Sequence, residues 1–188
     1  MDLGISEKVA PLLQRVRSFI NEQVMPVEHE FVAEIEVDDP FVLTNRQTEI
    51  MGSLKTQARE VGLWNFFLTG EEGSGLNTVE YAYLAEEMGK SRLAAEVFNC
   101  SAPDTGNMEV LHKYGSEAQK KQWLEPLLAG EIRSCFGMTE PDVASSDATN
   151  ICTSATLEGD EWVINGEKHW TSGAGDPRCK VMICMVKT

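Results

Sequence analysis

The chain has 188 residues, 42% of them hydrophobic, enough to bury a core in one domain or in two small ones. Its formal net charge of −14 argues against a nucleic-acid backbone or an anionic membrane surface as partner, since both require clustered Lys and Arg. No apolar run approaches the length of a membrane span, and no basic start leads into an apolar core, so the expectation is a cytoplasmic protein without a membrane span. Cys100, Cys135, Cys152, Cys179 and Cys184 are odd in number and include no C-x-x-C pair, which reads as reduced thiols. His29, His112 and His169 lie far apart, and no metal site is expected.

From Ser6 onward, Val9, Leu12, Leu13, Val16, Phe19, Ile20 and Val24 recur at helical spacing, and Pro26 is a natural stop. Residues 27–42 read as a short helical continuation and then a connection. Thr44 can cap a helix whose face carries Ile50, Leu54, Ala58 and Val61, ended by Gly62. Residues 63–68 form an apolar plug. The run at 70–75 lacks the Gly-Lys-Ser/Thr ending of a phosphate-binding loop and carries two acids, so it reads as a plain connection. Asn77 with Glu80 opens a helix through Val79, Ala82, Ala85 and Met88, closed by Gly89. A helical piece over 93–98 follows. Asp104, Met108, Leu111 and Tyr114 mark another helix, and Ser116 with Gln119 opens a last one that stacks Trp123, Leu124, Leu127 and Leu128.

After Glu131 the period becomes strand-like. Strands are predicted over 132–138, 151–157, 161–164, 168–172 and 180–186, with Gly159-Asp160 and Asn165-Gly166 as turns. The order is α+β: a helical domain over 1–130, then the first strands of an antiparallel, barrel-like domain over 131–188. The apolar run at 181–186 would leave an unpaired sheet edge where the sequence stops, so a fragment or a natural short form is expected.

Two stretches carry the chemistry. In the first, Phe136 and Met138 have strand spacing. Pro141 then forces the chain out of the sheet, into a loop whose Thr139, Ser145 and Ser146 offer short donors to one concave spot. In the second, the strand predicted over 168–172 ends with Trp170 beside Thr171 and Ser172, ahead of a flexible Gly-Ala-Gly. Taken singly, each has a plainer reading. Trp170 in a strand is more often a packing residue, Thr139 with Glu140-Pro141 reads as a strand end and turn, Ser145-Ser146-Asp147 as a cap or local turn, and His169 as an outward strand residue.

Together, Met138-Thr139-Glu140-Pro141, the run from Val143 to Asn150, Val163-Ile164-Asn165-Gly166-Glu167-Lys168 and Trp170-Thr171-Ser172-Gly173 resemble the front part of an acyl-CoA dehydrogenase, in the branch of family members ten and eleven. The resemblance implies FAD as cofactor and α,β-dehydrogenation of acyl-CoA thioesters in fatty-acid oxidation. It also implies electron-transfer flavoprotein as acceptor, and a homo-oligomer when full length. On it, Phe136 lies beside the flavin, the Met138 amide and Thr139 hydroxyl bond the ring's polar edge, and Trp170 lies against the ring. Thr171 supplies backbone contact, Ser172 hydrogen-bonds the ring, and Ser145 or Ser146 meets the phosphates, with Ser146 also facing the CoA arm. No acid here matches the family's catalytic base; Glu140 and Asp147 are structural candidates, and the isolated chain is expected not to turn over substrate. An acyl-CoA oxidase, a flavin monooxygenase of the same fold, or a non-enzymatic interaction module remain open alternatives.

Overall fold

The computed structural model describes residues 4–34, 39–71 and 73–188. The expected connection through 35–38 and Glu72 of the 70–75 run lie outside the described residues. The chain forms two compact units, Met1–Thr105 and Gly106–Thr188.

In the first unit, α1 (Ala10–Phe19) buries Leu13, Val16 and Phe19 and passes through a π turn (Ile20–Val24) straight into α2 (Met25–Ala33). Pro26 does not stop the helix. The Met25 amide reaches back five residues to the Ile20 carbonyl, and the widened turn admits a proline that would clash with the carbonyl four residues before it. The second unit repeats the arrangement. There the predicted last helix divides into α7 (Glu117–Gln119), a π turn (Lys120–Leu124) and α8 (Glu125–Leu128), with Pro126 just past the turn and the Glu125 amide bonded to the Lys120 carbonyl.

Helix α3 (Asn45–Glu60) opens on a reciprocal cap. The Gln47 amide donates to the Thr44 hydroxyl at 3.1 Å, and the Thr44 amide donates to the Gln47 side chain at 3.0 Å. Ile50, Leu54 and Ala58 are buried as their spacing predicts, whereas Val61 is the exposed C-cap. Helix α4 (Thr78–Met88) opens on the predicted Asn77–Glu80 cap, but its inward face is Glu80, Leu84, Glu87 and Met88, while Ala82 and Ala85 face solvent. The two glutamates are tolerated inside because each is satisfied. Glu80 accepts from the Ser6 hydroxyl and the Asn77 amide, and Glu87 accepts from Arg17 at 2.6 Å and Lys90 at 2.8 Å.

The core of this unit centres on Phe98, just after α5 (Ala94–Val97) and fully buried, its ring 5.4 Å from that of Phe19 and 6.0 Å from that of Phe66. Helix α6 (Asp104–Tyr114) begins in the first unit and continues into the second.

In the second unit, the buried Asn107 amide donates to the Ser134 hydroxyl at 2.9 Å and to the Cys135 carbonyl at 3.1 Å, pinning α6 onto β1 (Arg133–Gly137). Strands β2 (Ser154–Glu158) and β3 (Glu161–Asn165) form the expected antiparallel hairpin around Gly159-Asp160. Strand β4 (Cys179–Cys184) departs from the antiparallel expectation, because it pairs with β1 in parallel. Residues 168–172 are not a strand, and Asn165-Gly166 is not a hairpin turn. Asn165 closes the β2–β3 ladder opposite Ser154, and Gly166 passes so close to Thr153 that an added Cβ would lie 2.4 Å from its hydroxyl oxygen. The α+β order, helices first and strands after, is as the sequence predicts.

Phe98→Ala should cost about 3–5 kcal/mol in urea unfolding. Tyr114→Ala, at a side chain 79% exposed, should stay within about 0.5 kcal/mol. Equal losses would contradict this placement of the core.

Candidate functional site

Parallel pairing of β4 with β1 requires the chain to return from the end of β1 to its beginning. Residues 168–178 make that return as a strap laid along β1. At the strap's entry, Lys168 Nζ donates to the Met138 carbonyl at 3.0 Å and to Glu140 Oε1 at 2.7 Å, and the His169 amide donates to the Thr139 carbonyl at 2.9 Å. Further on, Gly173 passes Ser134, whose carbonyl would sit 3.4 Å from an added Cβ. At the exit, the Arg133 amide donates to the Arg178 carbonyl at 2.8 Å. Trp170, Thr171 and Ser172 therefore lie between Thr139 and Ser134, alongside the part of β1 that holds Phe136.

Glu140 is the anchor of this arrangement. It is buried, yet every lone-pair direction it uses is met: Oε2 accepts from the Cys152 amide at 2.7 Å, and Oε1 from the Thr153 amide at 2.9 Å and from Lys168. The Lys168 ammonium above all, together with the two backbone donors, holds its carboxyl down at about 2. Sequence reading placed Glu140 as structural, but missed Lys168, whose partner lies 28 residues away.

Between its fastened ends the strap leaves Trp170 and Ser172 exposed. Trp170 is 83% exposed, and its backbone is left-handed at φ 56°, a conformation that costs a bulky residue energy and that collects at ligand-binding positions. It is thus not a strand residue. Nor does His169 point outward from a strand: its ring lies 5.4 Å from the Trp170 ring, and its Nδ1 is buried. Among the described residues, the hydroxyls of Thr139, Ser146, Thr171 and Ser172 and the Met138 amide meet no hydrogen-bond partner. Phe136 is half-buried on β1.

Ser145 leaves the set of ligand donors. It is buried, its oxygen accepting from the Glu140 amide and its proton directed at the Glu140 carbonyl at 3.5 Å, whereas Ser146 is exposed. The turn reading of this loop is also realised, since Asp147 caps the short turn Ala148–Asn150 through the Thr149 amide. An exposed indole beside a strand end rich in unpaired short donors suits a flat ligand with a polar rim.

The sequence matches the description "Acyl-CoA dehydrogenase, N-terminal domain" over residues 6–131 and "Acyl-CoA dehydrogenase, middle domain" over residues 135–188. The chain belongs to the acyl-CoA dehydrogenase family. It is 51% identical to acyl-CoA dehydrogenase family member 11 of Homo sapiens over 97% of this chain and 23% of that protein. It is 50% identical to the probable acyl-CoA dehydrogenase FadE2 of Mycobacterium tuberculosis, over all of this chain and 46% of that one. The chain thus spans between about a quarter and a half of these relatives.

Among solved acyl-CoA dehydrogenase structures, one described as putative, from Mycobacterium abscessus, superposes with a TM-score of 0.88 at 52% identity, covering 96% of this chain and 46% of that one. A glutaryl-CoA dehydrogenase from Mycobacterium smegmatis, solved in complex with FADH2, superposes with a TM-score of 0.62 at 29% identity, covering 89% and 39%.

Because the Glu140 carboxyl sits below its ordinary 4.5, its fastening contributes fully above that pH and is lost as pH falls toward about 2. Glu140→Gln should therefore destabilise the chain at neutral pH, and the gap from wild type should close between pH 4.5 and 2, as followed by urea unfolding. A gap that held constant across that range would contradict the assignment.

Proposed function

We propose that this chain supplies part of the FAD and acyl-CoA site of a flavin-dependent acyl-CoA dehydrogenase, with a helical domain over 1–130 and a partial β domain over 131–188. The observation that carries the reading is Trp170, an exposed indole in a strained backbone, held beside the Thr139 strand end by Lys168. A flat, polar-rimmed cofactor fits what the residues offer: an open aromatic plate, unpaired hydroxyls at Thr139 and Ser172, and an unpaired amide at Met138.

In this reading Trp170 lies against the flavin ring and Phe136 stands beside it. The Met138 amide and Thr139 hydroxyl donate to the ring's polar edge, Thr171 gives a backbone contact, and Ser172 donates to the ring. Ser146, and not Ser145, faces the phosphates and the CoA arm. FAD supplies the hydride acceptor for α,β-dehydrogenation of an acyl-CoA thioester. The chain's own residues orient the ring, aim donors at its polar edge and shield one face from water.

Glu140 is not assigned as the base that removes the substrate's α-proton, because its carboxylate is already committed to Lys168 and two amides. Electron-transfer flavoprotein as acceptor, homo-oligomerisation and a fatty acyl substrate belong to the same proposal. The identity of about 50% to relatives named acyl-CoA dehydrogenases supports it, as does the FADH2 held by one structural relative. Among the described residues, no helix is long and apolar enough to cross a membrane.

Titration of the chain with FAD should give saturable quenching of flavin emission. Trp170→Ala should weaken binding by about tenfold, the loss of one aromatic stacking partner. Thr139→Val should weaken it too. No quenching, or both variants binding as well as the parent, would overturn the reading.

A further inference from the structure

The exit of the strap is fastened by a second device that the site reading leaves unused. Asp176 is its node. Its carboxylate accepts from the Arg178 amide at 2.8 Å, from Nε at 3.1 Å and from a terminal guanidinium nitrogen at 2.7 Å. Its own amide donates to the Gly173 carbonyl at 3.0 Å, and its carbonyl accepts from the Cys179 amide at 2.9 Å. One turn earlier, the Ala174 amide donates to the Thr171 carbonyl at 3.1 Å. Hydrogen bonds therefore run from Thr171 to the first residue of β4, and the Arg178 carbonyl is held in turn by the Arg133 amide at the start of β1. Burial pushes the Asp176 carboxyl up, but Arg178 outweighs it and keeps the group below its ordinary value, so the charged pair persists at neutral pH.

We propose that Asp176 and Arg178 are positioning residues for the flavin, acting through the strap and never touching the ring. The inference rests on the flavin reading of the site. The strap needs two fixed ends to hold Trp170 in a left-handed conformation with its indole in solvent. Lys168 fixes one end, and the Asp176–Arg178 clip fixes the other, within four residues of Ser172. A clip that served only to start β4 would affect unfolding. One that positions Thr171 and Ser172 must affect the ligand.

The test is FAD titration of Asp176→Asn, Arg178→Ala, Arg178→Lys and the double variant Asp176→Asn/Arg178→Ala, with hydrogen exchange read peptide by peptide. Asp176→Asn keeps one acceptor for the Arg178 amide and removes the charge together with the second acceptor oxygen. Asp176→Asn and Arg178→Ala should each weaken FAD binding by about tenfold, the scale of one lost charge-assisted pair. The double variant should be little worse than either single one, and Arg178→Lys should recover part of the loss. Exchange should accelerate across 170–176 and stay unchanged across 154–165. FAD binding indifferent to these substitutions would overturn the inference while leaving the flavin reading standing. Failure of the unaltered chain to bind FAD would overturn both.

Discussion

The ion pair of Lys168 with Glu140 decides where the second unit's chain goes. Their side chains are only 10% and 5% exposed, and a pair so buried is favourable only if the remaining polar atoms are also met. They are met here: the amides of Cys152 and Thr153 complete the carboxylate, and the Met138 carbonyl takes another ammonium proton. One carboxylate thereby gathers three stretches of chain, the end of β1, the approach to β2 and the start of the strap. The route after Gly166 is fixed at that point. It runs back along β1, and this return makes the β1–β4 pairing parallel.

Much of the helical part of the chain was legible because its signals are local. The caps at Thr44, Asn77 and Ser116 each need only a residue three positions on, and all three form. Local rules failed where a longer-range partner outweighed them. Pro26 read as a stop, yet the π turn before it lets the helix pass, as another does before Pro126. Ala82 and Ala85 look like a core face, yet Glu80 and Glu87 occupy it because Ser6, Arg17 and Lys90 reach them. Asn165-Gly166 is a strong hairpin signal, yet the buried partner waiting for Lys168 draws the chain elsewhere. Pattern alone favoured a packing role for Trp170, and only its resemblance to a known family singled it out. The left-handed backbone that sets it apart has no signature in the sequence.

Strain and exposure coincide at Trp170, and the surrounding structure explains how both persist. A bulky residue at φ 56° with most of its indole in water would relax if either neighbouring segment were free. Instead, His169 is bonded to Thr139 on one side, and a run of turns from Thr171 to Cys179 closes the other. The cost of the conformation is offset within the sheet unit itself, so the aromatic plate is already in place before any ligand arrives. Pre-organisation of this kind reduces what binding must otherwise spend on ordering a loop.

Residue-resolved exchange of the His169 amide tests the central claim most directly, because that hydrogen bond to Thr139 joins the two halves of the site and lies beside the Lys168 ion pair without belonging to it. The amide should exchange slowly in the wild-type chain and rapidly in Lys168→Met, with the β2–β3 amides unaffected. Equal protection in both would show that the strap lies along β1 without the ion pair, and the role given to Lys168 and Glu140 would be wrong.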